Sequence, residues 1–250
     1  MSSFAGDLHT HSLASGHAYS TITEMAMAAA DKGLTYLGIA DHGPNMPGAP
    51  HYYYFGNIKV VPPQIAGVNI LTGVEANIIN ADGELDLPMR ILARLPWVLA
   101  GFHSDAGYSG GSLEGNTQAA INALSNPHVD ALVHPGNPSY PLDYEQVVTV
   151  AAELGKAIEI NNASLTVVRH GSLDNCSLIA RWAAKLGAPV LISSDAHFSD
   201  DIGKLDAAYA LAKECGVSDD QIINLTTEGI EAYLAKRGKL VRQDSARPLV

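Results

Sequence analysis

Within the stretch GDLHTHSLASGHAYS, residues 6–20, three imidazoles fall in nine positions, at His9, His11 and His17. Imidazoles this close repel one another once protonated and compete for the same polar partners, so something must organise them. Neutral imidazole is the commonest metal-ligating side chain, and a metal ion is the organiser that these residue types imply. His9 and His11 are two residues apart, which on an extended segment projects both rings from one face. Asp195 and His197 in SSDAH repeat that spacing. Between these ends the chain carries Asp41 and His42 in ADH, Glu75 in GVEAN, His103 in GFH and His134 in LVHPGNP. Glu75 is the most telling, because a carboxylate between Val74 and Ala76 in an apolar run is costly unless something pairs with it. Taken singly, each has a plain explanation: a polar turn for Asp41 and His42, an arginine partner for Glu75, satisfied core histidines for His103 and His134. Together they imply a multinuclear metal site.

These residues need elements that bring them to one place. Apolar runs of strand length recur at 35–40, 68–76, 97–102, 129–134, 156–161 and 189–194, with a short first strand near 6–11. Continuous apolar runs suit strands covered on both faces, as in parallel sheets with crossover helices. The intervening helices show recognisable ends: a capping box at Thr21 and Glu24 with Gly33 closing that helix, Asp143 capping one that stops at Gly155, and Ser172 capping one that stops at Gly187. Near the C-terminus the pattern turns to helices alone, around 205–215, 219–225 and 227–237. Six of the strands run into the polar residues named above at or just past their C-terminal ends, where parallel α/β folds gather ligands and catalytic groups. A closed barrel brings six such ends together better than an open sheet does. The expectation is one α/β domain over 1–250, with a barrel at about 5–200, terminal helices at about 203–238 and a polar tail.

Composition supports this and excludes other classes. Apolar residues make up 47% of the 250 residues and charged ones 16%, enough for a substantial core. The formal net charge of −11 argues against general nucleic-acid binding, which calls for clustered Lys and Arg. No run approaches the roughly 18 apolar residues of a membrane span, and the start lacks a secretory pattern. Two cysteines, Cys176 and Cys215, read as reduced thiols in helices, and a cytoplasmic enzyme is expected.

The remaining histidines do not end strands. His51 opens HYYYF, read as a loop at the pocket mouth; His128 reads as a surface residue; His170 and Arg169 precede a helix N-terminus, where Arg169 is a candidate for holding phosphate and a solvated cation is the plain alternative. No activated-serine pattern surrounds Ser15 or Ser194, Cys176 falls in a helix away from the ligand strands, and SGGSLEGN at 109–116 reads as a flexible loop, not a phosphate-binding one.

The motifs DLHTHS, His17, ADH, GVEANI, GFH, HPGNP, EINNAS and SDAH, in this order, resemble the PHP (polymerase and histidinol phosphatase) superfamily over nearly the whole chain, and within it the small stand-alone bacterial phosphatases. The resemblance implies a distorted seven-stranded, TIM-like (β/α)7 barrel with three divalent ions, zinc foremost, with iron or manganese in relatives. It implies that His9, His11, Glu75 and Asp195 surround the first ion, that Glu75 bridges to a second held by His103 and His134, and that His17, His42 and His197 take the third. Two metals sharing a carboxylate lie about 3.5–4 Å apart and suit a bridging hydroxide attacking phosphorus in line. Asp195 or His197 then assists proton movement to the leaving group. The expected function is a metal-dependent phosphatase acting on a small phosphorylated molecule. A nucleic-acid 3′ exonuclease and a non-catalytic metal-binding regulatory module are the alternatives, and oligomeric state stays open.

Overall fold

The computed structural model describes residues 4–239. Its strands are β1 (Gly6–Thr10), β2 (Tyr36–Ile39), β3 (Gln64–Ile65), β4 (Val68–Asn77), β5 (Trp97–Gly101), β6 (Ala131–Leu132), β7 (Ala157–Asn161) and β8 (Val190–Ser193). Seven of them are parallel in the order β1-β2-β4-β5-β6-β7-β8, while the short β3 pairs antiparallel with β4. All seven strands expected from the sequence are therefore present. The two-residue β3 went unseen, having neither an apolar run nor a periodicity of its own.

Helices α1 (Ile22–Asp31), α2 (Tyr52–Asn57), α3 (Met89–Leu92), α4 (Leu113–Ser125), α5 (Tyr144–Leu154), α6 (Ala163–Thr166), α7 (Ser172–Leu186), α8 (Asp206–Glu214) and α9 (Thr227–Lys236) complete the fold. Local chemistry sets several ends as expected. Thr21 and Glu24 satisfy each other's backbone N–H groups in a capping box, and Asp143 accepts from the Gln146 N–H at the start of α5, which ends on Gly155 in the left-handed conformation. Other details differ. Gly171, not Ser172, is the N-cap of α7, and the Ser172 hydroxyl turns back to the Arg169 carbonyl. HYYYF is not a loop, because His51 accepts from the Tyr53 N–H and starts α2. The stretch 109–116 is half loop, since Ser112 caps α4 and the helix begins at Leu113. The expected helix at 219–225 shrinks to one 3-10 turn at Asp219–Gln221. The polar tail beyond residue 239 lies outside the described residues.

The barrel interior is apolar towards its lower end. Leu8, Tyr36, Leu71, Trp97, Leu99, Ala131, Val133, Ala157 and Leu191 form one buried cluster, joined by Ile230, Tyr233 and Leu234 of α9. The Trp97 Nε1–H donates to the Leu8 carbonyl at 2.7 Å, a bond between strands that are not neighbours and so one that spans the interior. A larger cluster lies between the strands and the surrounding helices, which is why the strands read as continuous apolar runs.

Towards the lower end, closure between β1 and β8 runs through the turn at 222–225, whose backbone and side chains bond both strands. Asn224, fully buried, donates to the Gly6 and Ile192 carbonyls at 2.7 Å each and accepts from the Ile192 N–H at 3.2 Å. Asp7 accepts from the Ser194 N–H, the Ser194 hydroxyl and the Gly203 N–H. Towards the C-terminal strand ends the backbones meet directly: the Asp195 N–H donates to His9 O at 3.0 Å and the His11 N–H to Ala196 O at 2.8 Å. The seam is thus tightest where the polar residues cluster.

Candidate metal centre

At the C-terminal rim the strands deliver their imidazoles and carboxylates to one buried spot. His9, His11 and Glu75 are wholly inaccessible, and His42, His103, His134 and Asp195 are buried. Glu75 sits in the middle. Its Oε1 lies 2.5 Å from His134 Nε2 and 3.1 Å from His103 Nε2, and its Oε2 lies 2.7 Å from His42 Nδ1, 3.4 Å from His9 Nε2 and 3.5 Å from His11 Nε2. Asp195 Oδ1 lies 3.2 Å from His11 Nε2. On its other oxygen, Arg169 donates at 3.0 Å and Asn161 at 3.2 Å. Gly101 keeps the middle open, because a Cβ there would stand 2.7 Å from the His134 ring and 3.1 Å from Glu75 Oε1.

Apart from the hydrogen bond between His134 Nε2 and Glu75 Oε1, the imidazole approaches to Glu75 leave most of these atoms unsatisfied. His9 Nε2, His11 Nε2, His42 Nδ1, Glu75 Oε2 and both ring nitrogens of His103 are buried without a hydrogen-bond partner. The 2.7 Å approach of His42 Nδ1 to Glu75 Oε2 is an ion-pair distance without hydrogen-bond alignment. Buried polar atoms are rarely left unpaired, and a group of them facing one space fits a cation at its centre. Four sets of ligand atoms lie within 4.8 Å of one another: His9, Glu75 and His134; His9, His11 and Asp195; His42, Glu75 and His103; and His11, His42 and His197. His17 belongs to none of these sets, but its ring centroid is 4.9 Å from that of His42 and 4.8 Å from that of His197.

Electrostatics sort the groups. Burial raises the pKa of Glu75, but the imidazoles of His103, His42, His9 and His134 outweigh it and hold the carboxyl well below its usual range. Asp195 is likewise held well below, with burial overcome by His9, Arg169 and His11. Burial and then neighbouring His197 and His42 press His11 well below 6.5, and burial with Arg169 lowers His134 to about 4. His9 goes the other way. Burial opposes its charge, yet Glu159, Glu75 and Asp195 raise it well above 6.5.

Two supporting networks were not singled out from the sequence. Glu159 on β7, wholly buried, accepts from His9 Nδ1 at 2.6 Å, from the His134 N–H at 2.5 Å, from the Ser193 hydroxyl and from Asn161 Nδ2 at 3.2 Å. A carboxylate whose hydrogen bond fixes a ligand imidazole's tautomer is a recurrent feature of metal sites. Its signal was visible in KAIEIN, a carboxylate inside an apolar strand, as with Glu75. Asp41 is the second. It accepts from the Ser12 N–H and hydroxyl, the Ser15 hydroxyl and the Tyr54 hydroxyl, all within 2.6–2.8 Å. Ser15 in turn lies 3.1 Å from His11 Nδ1. Asp41 therefore fixes the loop that carries His17 instead of joining the ligand sets.

Three of the four non-glycine residues with positive φ among the described residues are His134 (φ 34°), Arg169 (φ 52°) and Asp195 (φ 58°). Such strain persists where surroundings over-determine the backbone, and it gathers at functional sites. Arg169 is no solvated cation, since its guanidinium is ion-paired to Asp195 with 17% of the side chain exposed. His170 is exposed, His51 is a helix cap and His128 is half-buried instead of fully on the surface. Cys176 is closer to the ligands than its helix implied. It packs under the turn after His134, where a Cβ on Gly136 would meet its Sγ at 2.6 Å.

Comparison with known proteins agrees with this geometry. The PHP domain model matches residues 7–133. A protein of Thermoanaerobacter sp. named as a probable phosphatase is 48% identical over 235 residues, covering 94% of this chain and 96% of its own. One of Acetivibrio thermocellus with the same name is 47% identical over 240 residues, covering 96% and 99%. Among solved structures, histidinol phosphate phosphatase from Lactococcus lactis, complexed with zinc, L-histidinol and phosphate, superposes with a TM-score of 0.60 at 15% identity, covering 85% of this chain and 94% of its own. A chain of an archaeal ribonuclease P bound to mature tRNA superposes with a TM-score of 0.55 at 17% identity, covering 97% and 96%. At such identities the likeness is one of fold.

Proposed function

The chain belongs to the PHP domain family, and from that membership and the ligand-rich rim we propose that it is a metal-dependent phosphatase of small phosphomonoesters. The observation that carries the reading is the convergence of unpartnered buried imidazole nitrogens and a carboxylate oxygen on one space. Three divalent ions, zinc foremost, fit the donor set, with His9, His11, Glu75 and Asp195 around one, Glu75, His103 and His134 around a second, and His17, His42 and His197 around the third. Imidazole with carboxylate also suits iron and manganese. When bound, such ions supply Lewis acidity to the phosphoryl oxygens and lower the pKa of water.

The protein's own groups divide the remaining work. Asp195 stays ionised, and its Oδ2 is engaged by Arg169 and Asn161. Its Oδ1, 3.2 Å from His11 Nε2, is then the oxygen left to meet the first cation, and the ionised carboxylate as a whole suits accepting a proton more than giving one to the leaving group. His197 Nδ1 lies 2.9 Å from the Asp195 carbonyl, so its proton is engaged there and Nε2 is left as a lone-pair donor to a cation. Arg169, half-buried beside Asp195, is placed to meet a phosphoryl oxygen with the part of its guanidinium not used in that pair. Glu159 acts by holding His9.

The net charge of −11 weighs against a nucleic-acid substrate, although a chain of similar fold occurs in an archaeal ribonuclease P bound to mature tRNA. Purified protein stripped with a chelator and reloaded with zinc, manganese or iron tests the reading, with p-nitrophenyl phosphate and a labelled oligonucleotide as substrates. Expected are loss and recovery of phosphate release and about three ions per chain by metal analysis. Hydrolysis indifferent to chelation, or preferential cleavage of the oligonucleotide, would refute it.

A further inference from the structure

Beside His103 and Arg169 the rim opens into a cavity of about 180 Å³. Met46, Phe102 and Tyr140 form its apolar lining, and Ser104, Asn137 and Ser139 its polar one. The apolar part is rigid: the rings of Phe102 and Tyr140 stack at 4.9 Å and 14°, and the Tyr140 hydroxyl is tied to the Tyr108 carbonyl at 2.9 Å. Asn137 is fixed from its other side. Its N–H donates to His134 O and its Oδ1 accepts from the Ser139 N–H, each at 3.1 Å, which leaves the Nδ2 amide as a donor for a bound molecule.

We propose that this cavity receives the alcohol half of the phosphoester, and that the alcohol is small, hydroxylated and uncharged. The inference rests on the phosphatase reading and names its substrate class. In the hydrolysis a water oxygen forms the new P–O bond, the ester P–O bond breaks, and the alcohol leaves with one proton of that water. Size sets the first limit. A closed cavity of about 150 Å³ takes a six-carbon ring, so this half-open one has room for a short polyol or a single sugar-sized ring and for only part of a nucleoside. Charge sets the second. The lining holds a guanidinium and no carboxylate of its own; Asp195 is already ion-paired to that guanidinium, and Asp105, close enough to act on Tyr140, is solvent-exposed outside the lining, so an amino alcohol would place its ammonium beside Arg169 with no anion in the lining to meet it. Hydroxyl, amide and aromatic surfaces together are the chemistry that receives a polyol's alternating O–H and C–H faces.

Steady-state kinetics on size-matched esters test this, with ethylene glycol phosphate against ethanolamine phosphate, and glycerol phosphate and a hexose phosphate against adenosine monophosphate. The wild type is expected to favour the neutral member in kcat/KM by at least about tenfold, because a buried ammonium loses a charge-assisted partner. Asn137→Asp keeps the turn's acceptor and adds a carboxylate, and it should move the ratio towards ethanolamine phosphate by a similar factor. Asn137→Ala should weaken the polyol esters, mainly in KM. Equal rates on both charge classes, preference for the nucleotide, or an Asn137→Asp variant that changes all esters alike would overturn the assignment. Failure to hydrolyse any ester, p-nitrophenyl phosphate included, would instead remove the phosphatase reading, and the cavity's role with it.

Discussion

Replacing Glu159 by Gln is the sharpest probe of how the centre is held. Four donors point at this carboxylate: His9 Nδ1–H, the His134 N–H, the Ser193 hydroxyl and Asn161 Nδ2. A glutamine of the same shape offers one acceptor oxygen where the glutamate has two, and its amide nitrogen turns further donors against those present. At least two of the four then lose their partner. Each unsatisfied buried group costs about 1–3 kcal/mol, so the variant should be less stable by roughly 2–6 kcal/mol. The change also acts on metal: with His9 no longer fixed and no longer backed by negative charge, affinity should fall by about 10–100-fold. Titration against a chromophoric chelator reads the affinity, and urea unfolding of the chelated protein reads the stability. A variant that binds zinc as tightly as wild type and unfolds at the same urea concentration would show that Glu159 neither positions His9 nor sustains the core.

Other consequences follow from the same geometry. Because Glu75 presents one oxygen to His103 and His134 and the other to His9, His11 and His42, Glu75→Gln should cost more than one ion per chain, whereas His17→Ala should cost at most one; metal analysis of both variants separates them, and equal loss would contradict the partition. His9 is raised well above 6.5, so it is protonated in the chelated protein at neutral pH and must release that proton to ligate. Metal affinity therefore rises with pH until the raised value is passed, and calorimetry in two buffers of different ionisation enthalpy should show proton release on binding; His134, lowered to about 4, contributes none at pH 7. Asn224→Ala should unpair Gly6 O and the Ile192 N–H and O at the barrel seam, lowering stability by at least about 3 kcal/mol in urea unfolding.

Most of the barrel could be read from the sequence because parallel strands buried on both faces announce themselves as uninterrupted apolar runs, and helices such as α5 announce their ends through Asp143 and Gly155. The residues that meet at the rim were legible for a related reason: a His, Asp or Glu at the end of one such run has a plain explanation, but six runs ending this way together do not. What stayed hidden depends on contacts between distant segments. The Asp41 network needs Ser12 and Ser15 from the turn after β1 and Tyr54 from α2, and no local spacing encodes that meeting. Asn224 lies in an unremarkable turn, yet it closes a seam with residues more than 30 positions away in sequence on either strand. Arg169 read as a phosphate holder or a solvated cation because its partner Asp195 lies 26 positions on; its backbone is in the left-handed region and its guanidinium meets that carboxylate.

The centre's own charges lead to a last prediction. Glu75, Asp195 and Glu159 are all held below their usual pKa and are ionised at neutral pH. Arg169 and the protonated His9 lie among them. Arg169 and His9, whose charged form these carboxylates favour, therefore offset much of the negative charge in chelated protein, which should keep its fold, unlike small domains that unfold when stripped of metal. Arg169→Met removes one of those positive charges and leaves Asp195 Oδ2 with Asn161 alone. Breaking a buried pair from one side costs about 3–5 kcal/mol, less the share that partial exposure of the arginine returns to solvent screening. Cations added back restore positive charge, so the penalty should be large in chelated protein and small in metal-loaded protein. Thermal melts of both forms measure the difference, and an equal penalty in the two would mean that Arg169 matters for packing and not for this charge balance.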